Sequence, residues 1–268
     1  MTDAAQPTAP DERPSSVGPA WSPSELRDSP HARSDKADRV RSMFAAIARS
    51  YDLNNRLHSF GRDQAWRRAA VRAAGVRPGD AVLDCACGTG DLTHAFARTD
   101  ASRVVGLDFT QEMLDLAGVK RAKLPEAIAH KVSYLRGDAM ELPFESGSFD
   151  VVSIAFGIRN VQEPARAVAE FARVLRPGGR LVILEFDRPR FAPVRWGNDL
   201  YTKVIMPRTA AWIARDRVGA YRYLPKSVET FLSRAQMIEM FASHGFEEVR
   251  ARSLTLGVCA CYRGVRAG

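Results

Sequence analysis

The sequence predicts an α/β fold, with a parallel sheet, helices on both faces and an antiparallel last strand. Three observations predict it. Short apolar runs alternate with amphipathic stretches between residues 76 and 186, the pattern of a sheet covered on both faces. One of these runs ends in a glycine turn, Cys87-Gly88-Thr89-Gly90, at the start of a helical stretch. The last two apolar runs, Phe246 to Ala251 and Leu256 to Cys261, are separated by four residues, which suits an antiparallel hairpin.

The elements follow in order. From Ala37 the positions Val40, Met43, Phe44 and Ile47 recur at helical spacing, ahead of Tyr51-Asp52. A second helix carries Trp66, Ala69, Ala70 and Ala73 and runs to Gly75. After the turn Arg77-Pro78-Gly79-Asp80, strands are expected at Ala81 to Leu83, Val104 to Leu107, Val132 to Leu135, Phe149 to Ile154 and Arg180 to Phe186. Helices are expected at Leu92 to Ala97, Met113 to Val119, Ala165 to Leu175 and Gln236 to Phe241. A helical insertion, aromatic and basic, breaks the rhythm over 193–217. Residues 1–35 are rich in Pro, Ala, Ser and Asp without apolar periodicity and read as a disordered extension. Residues 36–268 then form one domain, which suits a chain of 268 residues with 46% hydrophobic content.

Net charge is +8, and it is concentrated. Residues 188–226 hold 9 Lys/Arg and 2 Asp/Glu, whereas the other segments nearly balance. Such a segment suggests an anionic surface as partner. No run approaches the ~18 apolar residues of a membrane-spanning helix, and no secretory signal is visible at the start. Four cysteines are too few for a disulfide scaffold of this length. The expected setting is the cytoplasm, with reduced, buried thiols. Cys85 and Cys87, like Cys259 and Cys261, are two apart, which in a strand simply places both on one face. The five histidines have no metal-ligand spacing, so no metal is expected.

Gly88 and Gly90 let the backbone turn sharply and approach a ligand. Asp108 ends the next strand, where an acid accepts hydrogen bonds from ribose hydroxyls. The third glycine of the dinucleotide fingerprint is missing, since position 93 is Thr. Asp91 stands at the helix start and would repel a pyrophosphate. A nucleoside with a positive centre tolerates these acids, and S-adenosylmethionine (SAM) fits. After the third strand, Gly137-Asp138-Ala139-Met140 offers an acid for the adenine amino group beside a small neighbour.

Together these stretches resemble the SAM-dependent methyltransferases with a seven-stranded Rossmann-like sheet, and most closely the ubiquinone/menaquinone biosynthesis C-methyltransferases. The stretch Phe44 to Asn54 is similar to the family's F-x-x-I-A-x-x-Y-D-x-x-N, and Leu83 to Asp91 to its L-D-x-A-C-G-T-G-D. Gly137 to Phe144 is similar to G-D-A-x-x-L-P-F, and Phe156 to Val161 to F-G-x-R-N-V. Arg173 to Gly179, Leu184-Glu185-Phe186, Tyr223 to Ser227 and Leu256-Gly257-Val258 complete the series. The likeness spans residues 37–264. It departs at Arg176, where the family usually has Lys, and at Ala155, where some members use a Ser to contact the cofactor.

By this resemblance SAM is the methyl donor, held at Gly88, Thr89, Gly90, Asp108, Asp138 and Ala139. The implied substrate is a polyprenyl hydroquinone methylated on ring carbon: demethylmenaquinol, or a methoxy-benzoquinol of ubiquinone biosynthesis. A quinone is too electron-poor to attack, so the reduced ring as phenolate must be the nucleophile. Arg159 is the candidate for stabilising the phenolate, Asn160 for orienting a ring oxygen, and Asp52 for accepting the proton. Arg159 could equally be an ion pair tying the fourth strand to a neighbouring helix, and Asp52 a turn residue at a helix end. The stretch 195–217 has the makeup of an interfacial helix, with Trp196, Tyr201 and Trp212 among basic side chains. It would dock at the inner face of a cytoplasmic membrane, or pack as a lid on the sheet. A homodimer is compatible with the sequence.

Three rivals are weaker. Nucleic-acid amino methyltransferases usually carry N/D-P-P-Y/F after the fourth strand. Here that place reads Ser153 to Gly157 and no Pro-Pro occurs anywhere, so no nucleic acid is expected. A non-catalytic SAM-binding protein would not need the full motif set. A small-molecule O-methyltransferase differs in placing the methyl on oxygen.

Overall fold

The computed structural model describes residues 20–22, 25–206, 208 and 219–268. Two helices, α1 (Lys36–His58) and α2 (Arg62–Ala74), precede the sheet. Then come β1 (Ala81–Cys85), α3 (Asp91–Ala97), β2 (Arg103–Asp108), α4 (Gln111–Arg121), the short α5 (Glu126–Ala129), β3 (Val132–Arg136), β4 (Phe149–Ala155), α6 (Pro164–Val174) and β5 (Leu175–Phe186). The insertion contributes α7 (Ala192–Leu200), a wide π turn at Tyr201–Ile205 and, after it, α8 (Ala220–Glu229). The helix α9 (Arg234–Ser243) and strands β6 (Phe246–Leu254) and β7 (Cys259–Arg266) close the chain.

The seven strands lie in the order β3-β2-β1-β4-β5-β7-β6. The first five are mutually parallel, and β7 runs antiparallel to both β5 and β6. Strand order reverses between β1 and β4, which opens a crevice outside their carboxyl ends. Every residue of β1 is buried, as a parallel strand covered on both faces requires. On one face Phe149, Phe171 and Phe241 anchor the core under α6 and α9. On the other, Trp66, Ala70 and Phe96 do so under α2 and α3. Ser233 and Gln236 form a reciprocal capping box that starts α9.

Three sequence expectations need correction. The helix carrying Tyr51 and Asp52 does not end there but runs two further turns to His58, so Asp52 is a helix-interior residue. The last strand starts at Cys259 rather than Leu256, because Thr255 and Leu256 take left-handed φ values of 44° and 56° in a tight turn. The extension is not disordered through residue 35 in its described part. Trp21 is fully buried and stacks on Tyr223 of α8, with ring centroids 4.7 Å apart. The Arg39 guanidinium lies over the Trp21 ring and donates to the Ala20 carbonyl at 2.8 Å. A side chain at Gly219 would overlap the Trp21 carbonyl. A single aromatic anchor leaves no periodic signal, so the composition of the segment concealed it. Residues 1–19 and 23–24 lie outside the described residues, as do Pro207 and 209–218 with Trp212 and Ile213 of the expected insertion.

Trp21→Ala is expected to lower stability by about 3–5 kcal/mol, the usual loss for a large buried aromatic. Urea denaturation of the full chain measures it, and Trp21→Phe, which keeps a stacked ring on Tyr223, should retain most of the difference.

Candidate active site

Five consecutive β-strand ends build the site. β1 runs into the glycine turn, where Gly88 and Gly90 have φ of 55° and 83°. A Cβ at Gly90 would overlap the Tyr134 hydroxyl, so only glycine fits there. Tyr134 is itself held by His94 at 2.7 Å. Behind the turn, Asp84 accepts from the Thr93 and Ser153 hydroxyls at 2.7 and 2.8 Å. Asp108, at the end of β2, accepts from the backbone N–H of Gly88 at 2.8 Å and of Thr110 at 2.9 Å. It is buried, no basic side chain pairs with it among the described residues, and burial raises its pKa above the ordinary carboxylate value. After β3, Asp138 accepts from the Met140 N–H at 2.8 Å, and Ala139 is buried. Gly88, Thr89, Gly90, Asp108, Asp138 and Ala139 stand together at the carboxyl edges of three adjacent strands. This set suits SAM. The glycine turn leaves backbone room, and Asp108 is an anionic acceptor with no cation of its own beside it.

Asp84 allows a test of the turn by pH. Burial raises its carboxyl from 3.8 to about 6, against the two hydroxyl hydrogen bonds that lower it. A raised pKa in the fold means the neutral acid is favoured there. Its stabilising contribution is therefore complete below about 4 and lost as pH rises through about 6. Asp84→Asn is expected to be more stable than the native chain at pH 8 by up to roughly 3 kcal/mol, and similar to it at pH 4. Urea denaturation at both pH values measures the difference.

The helix α1 crosses the glycine turn. A Cβ at Gly88 would lie 3.8 Å from the Tyr51 ring. Asp52 accepts from the Thr89 hydroxyl at 2.6 Å and from Lys120 of α4 at 2.8 Å. Lys120 also pairs closely with Asp91, and Arg56 and Gln64 reach the same carboxylate at 3.2 and 3.0 Å. Burial pushes the Asp91 acid up, but Lys120 foremost brings it down to about 2. Asp91 is therefore a neutralised anchor between α1, α2, α3 and α4. Lys120 carries no motif signal in the sequence and was missed. Asp52 faces this cluster and is not among the residues lining the neighbouring cavity.

That cavity has a volume of about 620 Å³. It lies between α1, α2, the ends of β4 and β5, and the insertion. Met43, Phe44, Ile47, Phe156, Phe186 and Val258 supply apolar wall, and Tyr51 separates it from the glycine turn. Arg159 lines the cavity and is buried. Its guanidinium pairs with Glu185 at 2.5 Å, donates to the Phe156 carbonyl at 2.9 Å and to the Ser227 hydroxyl at 3.3 Å, and lies over the Phe186 ring. Arg159 thus does make an ion pair, to strand β5 rather than to a helix. Asn160 is not among the lining residues. Its Nδ2 donates to the Phe156 carbonyl at 3.2 Å, and its Oδ1 accepts from the Tyr223 hydroxyl at 2.9 Å. Glu185 and Tyr223 lie within the Leu184–Phe186 and Tyr223–Ser227 motifs, but nothing in their spacing announces these contacts. All four cysteines are buried and free, and burial raises the pKa of each thiol.

Comparison with known proteins places this geometry. The sequence profile of the ubiE/COQ5 methyltransferase family matches residues 32–266. The ubiquinone/menaquinone biosynthesis C-methyltransferase UbiE of Erwinia tasmaniensis is 41% identical over 251 residues, covering 90% of this chain and 98% of that protein. The UbiE of Photorhabdus laumondii is 40% identical over 238 residues, covering 88% and 93%. Among solved structures, the [4+2]-cyclase SpnF superposes with a TM-score of 0.62 at 17% identity, covering 86% of this chain and 96% of that one. A SAM-dependent methyltransferase from Thermotoga maritima does so with 0.58 at 19% identity, covering 85% and 99%. At such identities the structures show the fold alone. The profile match and the 41% relative settle the membership: this chain belongs to the ubiE/COQ5 methyltransferase family and is a SAM-dependent methyltransferase.

Proposed function

We propose that the chain methylates a ring carbon of a polyprenyl hydroquinone, with demethylmenaquinol as the first candidate and the methoxy-benzoquinol of ubiquinone biosynthesis as the second. The observation that carries this reading is the apolar cavity beside the glycine turn, large enough for an aromatic head group and the start of a prenyl chain. The name of the curated relatives supports a quinone pathway without choosing between the two rings.

Bound SAM supplies an already activated methyl group, so the chain must align the ring carbon, exclude water and stabilise the phenolate. Arg159 is a buried cation on the cavity wall, held in place by Glu185 and Phe186. Asn160 acts through Tyr223, which lines the cavity. Tyr51 keeps its proton, because burial raises its pKa, and can donate to a ring oxygen. Asp52 orients Thr89 and Lys120 at the cofactor side. His58, also on the cavity wall, is kept neutral near pH 7 because burial lowers its pKa, and is our candidate to accept the proton.

The cavity rim bears exposed apolar side chains. Phe60 and Leu256 line the mouth at 77% and 76% exposure, and outside the lining Trp196 of the insertion and Phe191 just before it are 71% and 67% exposed. Phe60 touches the Tyr201 ring, which joins the rim to the basic segment. We assign this rim to the surface of an anionic bilayer, from which a prenyl tail could enter directly. No helix among the described residues is long and apolar enough to cross a membrane.

Incubation with methyl-labelled SAM and a short-prenyl demethylnaphthoquinol under reducing conditions should yield a product with one added methyl on ring carbon. The corresponding benzoquinol run in parallel ranks the two substrates. Methyl on oxygen, or transfer to neither ring, would reject the reading. Cosedimentation with anionic vesicles should fall on charge reversal of Arg188, Arg190 and Arg195, and equal binding would reject the membrane face.

A further inference from the structure

Among the described residues, the buried Lys and Arg side chains are Lys36, Arg67, Arg159 and Arg180. The three arginines each meet a carboxylate, on Asp63, Glu185 and Asp80. Lys36 meets none among the described residues. It is 1% exposed, and its ammonium donates to the Val161 carbonyl at 2.5 Å. The preceding acid, Asp35, pairs with Arg33 and Arg39 instead. Lys36 is also the first residue of α1, where the helix dipole presents its positive end. Burial, the lack of a carboxylate and the dipole all oppose a charge there. An apolar residue of similar length would serve folding better, so the charge needs another explanation.

Its surroundings supply one. Val161 follows the turn Ile158–Asn160, which carries Arg159 and Asn160, and its N–H closes that turn on the Ile158 carbonyl at 3.3 Å. The start of α1 is stapled to the same place. The Ala37 N–H donates to Gln162 Oε1 at 3.2 Å, and Gln162 Nε2 donates to the Arg33 carbonyl at 2.8 Å. Lys36 and Arg159 are close enough to repel. Arg159 and Glu185 form a pair without net charge, so a phenolate at the cavity wall feels little long-range attraction from the two together. We propose that Lys36 supplies the net positive charge that favours ionisation of the ring hydroxyl, acting from behind the Ile158–Asn160 turn without touching the substrate. This rests on the hydroquinone reading of the cavity, which Lys36 itself does not line. Contact is not required. A unit charge acting across about 10 Å at an effective dielectric of about 20 shifts an ionisation by about one pH unit.

The charge of Lys36 can be removed by pH. Burial first, then repulsion from Arg159, lowers its pKa to about 8. The other titratable group set against it is His31 on the Pro30–Ala32 turn, neutral near pH 7 because burial lowers its pKa. From α8 come Tyr223 and Ser227, bonded to Asn160 and Arg159. Both are uncharged, and burial raises the Tyr223 pKa to about 12.

The test is single-turnover methyl transfer by the full chain, with SAM and an anaerobically reduced short-prenyl demethylnaphthoquinol, between pH 6.5 and pH 9.5. The native chain is compared with Lys36→Gln, which keeps a donor for Val161 without the charge, and Lys36→Met, which keeps neither. Native rates are expected about tenfold above both variants at pH 6.5 and within about twofold of them at pH 9.5. The deprotonated amine still donates to Val161 but carries no charge, so a purely structural role would leave the ratio constant. Thermal melts establish which variants fold, and either folded variant suffices. A constant ratio, or a Gln or Met variant that matches the native rate at pH 6.5, overturns the role of Lys36 and leaves the substrate class intact. Absence of transfer to the ring by the native chain overturns the hydroquinone reading itself, and this inference with it.

Discussion

Replacing Arg159 with methionine is expected to destabilise the fold by about 3–5 kcal/mol, and adding Glu185→Leu is expected to return most of that loss without returning turnover. The reasoning starts from burial. The Arg159 and Glu185 side chains are 6% and 3% exposed, and they meet at 2.5 Å. Glu185 also accepts from the Phe186 N–H at 2.8 Å. With the guanidinium gone, a buried carboxylate keeps a backbone donor but loses its cation, which is the costly case. With both charges gone, the site becomes apolar, and pairs of this kind are often replaced at little net loss. Stability and chemistry then separate. If Arg159 only tied β4 to β5, the double variant would regain activity with its fold. If Arg159 is the cation that a phenolate meets, turnover in the double variant should stay about 10²–10³-fold low with SAM affinity unchanged. Urea denaturation, calorimetry with SAM and a methyl-transfer assay read the three quantities. A stable double variant with near-native turnover would remove Arg159 from the chemistry.

The parts of this molecule legible from sequence were those fixed by local chemistry. The glycine turn needs Gly88 and Gly90 whatever surrounds them, and Asp108 falls at the end of an apolar run whose length is countable. Alternation of strand and helix gave the parallel sheet, and the short link before the final run gave the antiparallel edge. The contacts that shape the cavity were not legible, because they join residues far apart in the chain. Arg159 and Glu185 are separated by 26 residues, Lys120 and Asp52 by 68, and Trp66 donates to the Thr255 hydroxyl across 189. Asp52 illustrates the difficulty. Its motif marked it as important, but only the path of α1 over the glycine turn reveals that it faces Thr89 and Lys120. Trp21 is the opposite case, an ordinary letter in a polar segment that becomes a wall of the third core cluster with Met43, Ile47 and Tyr223.

Asp108→Asn is expected to weaken SAM and S-adenosylhomocysteine by about 10²-fold, with a smaller effect on stability. The carboxylate has two tasks. Its Oδ2 accepts from Gly88 N–H and its Oδ1 from Thr110 N–H, so it fixes the glycine turn against β2. Its remaining lone pairs are free to accept from ribose hydroxyls, the role we propose for them. Asparagine replaces one oxygen by an N–H₂ group. That group would either face a backbone donor or be presented to the ribose in place of an acceptor, and the negative charge is lost in both cases. Charge-assisted hydrogen bonds are worth roughly 1.5–3 kcal/mol each, so losing one or two of them corresponds to a hundredfold weakening. The stability effect is smaller because burial already opposes the ionised form of Asp108, and removing the charge relieves that penalty while the turn loses one acceptor. The same burial sets the pH response. A carboxyl whose pKa is raised protonates sooner on acidification, so SAM affinity of the native chain should fall as pH is lowered, while the Asn variant should respond less. Calorimetry at pH 5 and pH 8 on both chains measures this. Equal affinity of native chain and variant at pH 8 would mean that the ribose is held elsewhere and that Asp108 serves only the turn.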